Sequence, residues 1–351
     1  MKIFLSVGCM VIMLCEGVGL RAQDAHFSQF YAMPVLRNPA LTGLFPEDIR
    51  GTVAYRDQWS PINVPYKTMA LGAEFNVPVQ PGEYHWIKES FGLQITHDVA
   101  GDSKLSKTQL MPAMNFHFPL SPYTDVNSQL SIGINGSMVL NSFNTKDLQF
   151  DDQFVNSPVL APSRQAFTTT QRTYFNGLGL GVVYNYGNYE LDEARYYVGA
   201  SIVNYQFAKK QQYFQNTYID SARNYRIGVN AGGTYPTGED SRLNIYADYF
   251  RQARNNLLQF GAMMTFDLPT WDLALTGGLV CRWDDALVPI VNLEYRNLFI
   301  GLSYDANINN RLVIAGRTKN VFELMLSYKG FLNILDRQYR CPDRPAQTQV
   351  W

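Results

Sequence analysis

Four histidines, His26, His85, His97 and His117, are the side chains best suited to move a proton or hold a metal near neutral pH. None is spaced as a metal pair such as HExxH, and no CxxC is present. There is no GxSxG elbow and no phosphate loop. Gly177–Gly181 is Gly-rich but lacks the Lys-Ser/Thr ending, and reads as a strand with small residues on one face. His97-Asp98 resembles part of a hydrolase set, although a polar strand end is the simpler reading. A hydrolase would need an acidic or hydroxyl partner within hydrogen-bond reach of His97 or His117. Asp151-Asp152, Glu239-Asp240 and Asp284-Asp285 could help hold Ca²⁺, but solvated loops explain them as well. No catalytic, cofactor-binding or metal residue is therefore assigned, and no enzyme is expected.

The 351 residues carry 29 Lys+Arg against 30 Asp+Glu, which excludes the basic face of a nucleic-acid binder. Charged residues are only 17%, below the roughly 25% of a soluble domain, while aromatics reach 14%. Met1–Ala22 has the form of a secretory signal peptide: Lys2, an apolar run over Ile3–Leu14, and a small residue before Gln23. Cys9 lies too early for a lipoprotein signal, and Cys15 follows Met13-Leu14 rather than small residues. Cys281 and Cys341 remain after cleavage, enough for one bridge at most. With no later stretch long enough for a membrane helix, the mature chain is either secreted or crosses a membrane as a β-barrel.

The strand pattern decides for the barrel. In Leu130–Leu140, Leu130, Ile132, Ile134, Met138 and Leu140 share one face, and Ser131, Gly133, Asn135 and Ser137 the other. Tyr174–Tyr186, Leu298–Tyr304 and Val321–Lys329 alternate in the same way. Strand ends are rich in Tyr, Phe and Trp. Apolar-out, polar-in alternation with aromatic girdles is the mark of a transmembrane barrel. A soluble sandwich would have shorter strands. The runs lie near 48–57, 66–78, 87–99, 105–118, 128–142, 173–187, 194–205, 223–235, 242–252, 256–267, 271–283, 288–296, 297–305 and 321–330, about 14 strands, with a tight turn at Arg296-Asn297. The long connections 58–65, 143–172, 206–222 and 306–320 all fall between odd and even strands, the side expected to face outward. Both termini are then expected in the periplasm. In the first hairpin Val53, Tyr55, Leu71 and Phe75 are expected to face lipid, with Arg50, Arg56 and Lys67 in the lumen or at strand ends.

The organisation expected is a signal peptide at 1–22, a segment at 23–47, a barrel at 48–330 and a periplasmic tail at 331–351. The segment is rich in aromatics and turn formers, and could plug the lumen or lie on the periplasmic face. Phe322–Tyr328 is the expected closing strand, while Trp351 lies about 20 residues beyond it.

Gln23-Asp24-Ala25-His26-Phe27-Ser28-Gln29-Phe30-Tyr31, then Asn38-Pro39-Ala40-Leu41-Thr42-Gly43, then Tyr55-Arg56-Asp57-Gln58-Trp59 and Tyr66-Lys67-Thr68, form an ordered series. It resembles the start of the PorP/SprF family, outer-membrane proteins of the type IX secretion system of Bacteroidota. Tyr197–Ser201 with Asn204-Tyr205, Phe322-Glu323 and Arg340-Cys341-Pro342 extend the likeness, which is dense only over about 24–75. The Asp343–Trp351 extension departs from the family pattern.

The resemblance implies a non-enzymatic outer-membrane barrel in the secretion and gliding machinery. It would bind, anchor or help export a secreted adhesin-like protein through that protein's C-terminal domain. Implied partners are outer-membrane lipid, that secreted protein and other secretion components, including periplasmic ones. The family-motif residues His26, Phe27, Gln29, Tyr31, Asn38, Pro39, Gly43, Tyr55, Arg56, Trp59 and Tyr66 are candidates for partner contact, though a turn and an interfacial girdle also account for them. Phe150, Phe154 and Phe167 in the longest loop offer a docking surface. The alternative is a passive porin with an open lumen.

Overall fold

The computed structural model describes residues 27–58, 66–77, 87–101, 104–120, 128–143, 170–187, 194–205, 210–214, 217–220, 225–253, 255–308 and 321–332. After a short lumenal segment the chain forms β1 (Ile49–Gln58), β2 (Tyr66–Asn76), β3 (Lys88–Ala100), β4 (Leu105–Pro119), β5 (Ser128–Phe143), β6 (Thr170–Tyr186) and β7 (Arg195–Tyr205). A hairpin of β8 (Lys210–Phe214) and β9 (Thr217–Asp220) follows. Then come β10 (Arg226–Gly238), β11 (Ser241–Gln252), β12 (Asn255–Leu268), β13 (Leu273–Arg282), β14 (Ala286–Tyr295), β15 (Leu298–Asn307) and β16 (Val321–Gly330). All but β8 and β9 pair antiparallel with their neighbours in a closed barrel of 14 strands, sealed by β1 on β16 from Ile49↔Gly330 to Gln58↔Val321. Each expected strand is present, and the closing strand contains Phe322–Tyr328.

Three details differ from expectation. Connection 206–222 contains the β8–β9 hairpin, whose strands are too short for the alternation to register. β6 begins at Thr170, so the longest loop is shorter than 143–172. Trp271 belongs to a 3₁₀ turn, Pro269–Trp271, rather than to β13.

Burial is inverted relative to a soluble protein. In β7, Arg195, Tyr197, Gly199 and Ser201 are buried, while Tyr196, Val198 and Ala200 are exposed. In β14, Asn292 and Glu294 are buried, while Val291, Leu293 and Tyr295 are exposed. An exposed apolar band around a polar, buried interior is stable only where lipid replaces water outside. Aromatics ring both edges, Trp271 and Tyr295 at one and Trp283 and Tyr304 at the other. Pro112 and Pro289 lie within strands, and each falls where the ladder to β5 or β15 is interrupted, since proline has no N–H to give.

The barrel has a loop end, carrying the β1–β2, β5–β6, β7–β10 and β15–β16 connections, and a turn end with tight turns such as Arg296-Asn297. The asymmetry is not strict: connection 77–87 at the turn end is longer than 59–65 at the loop end. In the first hairpin, Val53 and Leu71 are exposed outside, and Arg50 and Arg56 are buried inside. Lys67 stands on the outer face, at the second residue of β2, next to the loop end.

The core of the protein sits in the lumen. Residues 27–48 enter it as two 3₁₀ turns (Phe30–Ala32 and Pro39–Leu41) around a one-turn helix, α1 (Pro34–Arg37). Proline opens α1 and the second 3₁₀ turn, where its missing N–H costs nothing. Each of four buried apolar clusters joins this segment to the wall: Phe30 and Tyr31 in the first, Phe27 and Met33 in the second, Ala40, Leu41 and Leu44 in the third, Val35 in the fourth.

Candidate functional site

The lumenal segment runs the length of the barrel interior. At the turn end, Asp48 N–H donates to Gly330 O (3.0 Å), and Asn76 Nδ2 donates to the carbonyls of Phe45 (3.0 Å) and Glu47 (2.8 Å). Gly43, in the left-handed region at φ 76°, donates its N–H to Glu74 Oε1 (3.0 Å), whose other oxygen accepts from Arg50 Nε (2.6 Å). Deeper in, Asn115 Nδ2 donates to the carbonyls of Ala40 (2.8 Å) and Thr42 (2.7 Å). Asn38 Oδ1 caps the following turn through Ala40 N–H (2.9 Å), and its Nδ2 donates to Ala200 O (3.2 Å). This close approach needs bare wall. A Cβ on Gly133 would strike the Pro39–Ala40 backbone, and one on Gly181 would strike Asn38 Oδ1.

Midway, Arg37 lies in a fork between Asp248 and Tyr197. It donates through Nε to Asp248 Oδ2 (2.7 Å), and through Nη2 to Asp248 Oδ1 (2.7 Å) and Tyr197 Oη (2.6 Å). Asn230 Nδ2 also donates to Asp248 Oδ1 (2.8 Å). Burial works against the Arg37 charge, and Asp248 and Tyr197 answer it. Tyr31 stacks on Tyr246 (centroids 5.0 Å apart) and its hydroxyl accepts from Asn292 Nδ2 (3.2 Å).

Near the loop end, one carboxylate grips two consecutive amides. Glu323 Oε2 accepts from Ser28 N–H (2.8 Å) and Oε1 from Gln29 N–H (2.9 Å). Ser28 Oγ donates to Asp305 Oδ1 (2.5 Å) and accepts from Arg56 Nη1 (2.7 Å). Arg56 also pairs with Asp305 (2.8 Å) and Glu323 (3.1 Å), and Arg282 pairs with Asp305. Phe27 therefore lies at the loop end and Gly330 at the turn end. The expectation of both termini on one side concerns residues 1–26 and 333–351, which lie outside the described residues.

Of the sequence candidates, Phe27, Gln29, Tyr31, Asn38, Pro39 and Gly43 come together on the segment, and Arg56 reaches it from the wall. Tyr55 does not join them: it faces outward and donates to Asp57 Oδ2 (3.2 Å). Tyr66 pairs with Gln58 at the loop end of β2. His26, Trp59, Phe150, Phe154 and Phe167 lie outside the described residues. Sequence reasoning missed Ser28, Arg37, Asp248, Asp305 and Glu323 as functional side chains. Alternation alone puts Asp248, Asp305 and Glu323 in the lumen, where a buried acid requires a partner. That was the available signal.

Both histidines named for hydrolysis have hydroxyl partners. His97 Nδ1 lies 2.8 Å from Thr108 Oγ1, on the outer side of the wall. His117 sits between Ser90 Oγ and Ser131 Oγ, each at 2.8 Å. Ser90 donates its own proton to Asn76 Oδ1 (2.7 Å). Gly43 also covers Ser90: a Cβ there would strike Ser90 Oγ. Among the described residues no group of three or more His, Cys, Asp or Glu is placed to hold a metal ion. Cys281 is a free thiol, and Asp285 pairs with Arg282 (2.5 Å).

Among solved structures, the chain is similar to a FadL homologue from Pseudomonas aeruginosa (10% identity, TM-score 0.49, 84% of this chain and 93% of that one). It is also similar to BamA from Haemophilus ducreyi lacking POTRA domains 1-3 (10% identity, TM-score 0.38, 80% and 69%) and to CdiB from Escherichia coli (9% identity, TM-score 0.42, 82% and 64%). No curated protein matches it in sequence. The family model for the type IX secretion system membrane protein PorP/SprF matches residues 20–328. A strand-by-strand barrel with its N-terminal block folded into the lumen is thus the form this sequence family takes here, and the chain belongs to the PorP/SprF family of type IX secretion system membrane proteins.

Proposed function

We propose that this barrel performs no reaction and serves as an outer-membrane anchor of the type IX secretion and gliding machinery. In this reading it retains a secreted, adhesin-like protein at the cell surface through that protein's C-terminal domain. The loop end faces outward, and the turn end faces the periplasm and other secretion components. Residues 1–22 are removed as a signal peptide, and residues 331–351 form a periplasmic tail.

The observation that carries this over a passive porin is the fate of residues 27–48. A solute pore needs an open, hydrated lumen. Here the lumen holds a peptide bonded to strands on all sides, from Glu74 and Asn115 through Asp248 to Glu323. Such an interior suits a rigid platform whose mouths, rather than its bore, do the work.

The test is extraction of the native membrane with mild detergent and identification of what accompanies the barrel. A cell-surface protein and other secretion components are expected to co-purify, and surface display of that protein should fail when the barrel is deleted. A barrel that emerges alone, with display intact in the deletion strain and solute-dependent conductance in planar bilayers, would return the porin reading.

A further inference from the structure

The fourteen antiparallel strands alone would return the chain to the side it came from. The lumenal segment adds one more passage. Asp48 N–H donates to Gly330, the last residue of β16, at the turn end. The Ser28 and Gln29 amides donate to Glu323, the third residue of β16 from the loop end. Arg56, the third residue of β1 from the loop end, reaches the Ser28 hydroxyl at the same level. The segment therefore runs alongside β16 from its last residue to its third. An odd number of passages puts the two ends of the chain at opposite mouths.

The bore offers no way back. Wall residues from every strand of the barrel share a buried cluster with the segment or lie against it. On one side Tyr31 stacks on Tyr246 of β11, and on another Asn115 of β4 holds the Ala40 and Thr42 carbonyls. Gly133 and Gly181 face backbone and side chain of the segment at distances that admit no Cβ. A second length of backbone beside the first needs about 4.7 Å of its own. It also needs partners for its amides, from a wall whose Asn115, Asp248 and Glu323 are already engaged.

Chain length gives the same answer. With residues 1–22 removed, as proposed above, only Gln23–His26 precede Phe27. Those four residues, fully extended, span about 13 Å at roughly 3.3 Å each. Between Glu323 and the loop end of β16 lie only Phe322 and Val321, about 7 Å of strand. Toward the turn end lie Leu324–Gly330, about 23 Å of strand. The residues ahead of Phe27 are long enough to clear the near rim and too short to regain the far one.

We propose that the mature chain displays its N-terminal end outside the cell, at the outer mouth, with the C-terminal tail across the membrane in the periplasm. Strand parity alone places both ends in the periplasm; the segment reverses that for the N-terminal end. The surface open to a secreted partner at the outer mouth then includes a free chain end, with Asp24 and His26, as well as the loops. That end is held in place by the grip of Glu323 on the Ser28 and Gln29 amides. Which mouth is the outer one rests on the orientation proposed above; the placement of the two ends at opposite mouths does not.

The experiment uses the full-length protein in its native membrane, with Cys281→Ser and Cys341→Ser in every variant so that the mature chain carries one thiol. Ala25→Cys is compared with Asn256→Cys at the exposed loop-end rim, Arg296→Cys at the exposed turn end and Gln347→Cys in the tail. A membrane-impermeant maleimide bearing a polyethylene glycol chain is added to cells, and the gel shift is read. Ala25→Cys and Asn256→Cys should shift in intact cells, and Arg296→Cys and Gln347→Cys only after the outer membrane is permeabilised. Asp24→Cys repeats the test should Ala25→Cys disturb removal of the leader. The proposal is overturned if Ala25→Cys needs permeabilisation while Asn256→Cys does not, or if Ala25→Cys reacts on neither side. Should Arg296→Cys be the thiol reached from outside, the proposed orientation falls and outward display falls with it. The expected labelling with a failed pull-down would leave the displayed end standing and remove the anchoring reading instead.

Discussion

Arg37 on the lumenal segment and Asp248 on β11 form a two-point ion pair, Nε to Oδ2 and Nη2 to Oδ1, both at 2.7 Å, with side-chain exposures of 3% and 0%. They are 211 residues apart in sequence. Removing one partner leaves a buried charge unanswered, at a cost of about 3–5 kcal/mol. That cost falls on docking of the segment, since the barrel's own strand ladders do not involve Arg37. Arg37→Ala is therefore expected to leave the closed barrel intact by heat-dependent gel mobility, yet produce intermittent conductance in planar bilayers where the native chain is silent. Replacing the pair together, Arg37→Leu with Asp248→Leu, should restore much of the silence. A native chain with steady large conductance would refute this account of the lumen.

The bare wall gives a second prediction with an internal control. Gly181 faces Asn38 at a distance that admits no side chain, and Gly133 faces the Pro39–Ala40 backbone likewise. Gly51 lies on the outer face with nothing within 4 Å of a built Cβ. Gly181→Val should lift the Asn38–Leu41 turn from the wall and expose the segment to added protease. Gly51→Val should change nothing, because it adds one apolar group to the lipid-facing band. Equal protease sensitivity of the two variants would separate the glycine stripe from segment docking.

The third prediction concerns the loop end. Glu323 accepts from two successive backbone amides, Ser28 and Gln29, and pairs with Arg56. A carboxylate can serve both amides with its two oxygens, but an amide side chain offers only one acceptor atom. Glu323→Gln should therefore speed hydrogen exchange at Ser28 and Gln29 while exchange around Arg37 and Asn38 stays slow. The rest of the segment is fixed independently by Asp248 and Asn115, so the effect should not spread.

The strands were legible because the membrane imposes their pattern directly: lipid on one face and a polar interior on the other leave a two-residue period in stretches such as Leu130–Leu140. Closure by Val321–Gly330 followed from the same rule. The lumenal segment was not legible in this way. Phe27–Asp48 has no period, and its partners Asp248, Asp305 and Glu323 are more than two hundred residues away, so the motif residues could be picked out without showing what they touch. Even the choice between a plug and a periplasmic cap stayed open, since turn formers such as Asn38-Pro39 suit both. The β8–β9 hairpin was lost for the opposite reason: four or five residues per strand are too few to display a period.

The last prediction tests the medium against which the outer face is built. Leu180 lies near the middle of β6, paired with Ile134 and Ile202, and is 52% exposed. In water such a residue would be a mild liability, and arginine in its place would be neutral or helpful. In a bilayer the same change puts a charge at mid-depth, costing about 2–4 kcal/mol. Lys67 is tolerated on the same outer face because it stands at the second residue of β2, where its amine reaches the interface. Leu180→Arg should lower the unfolding midpoint in urea with liposomes present, whereas Met69→Arg, two residues further from the loop end than Lys67, should cost less than Leu180→Arg because it is shallower. If Leu180→Arg stabilises the chain instead, its apolar face was never adapted to acyl chains.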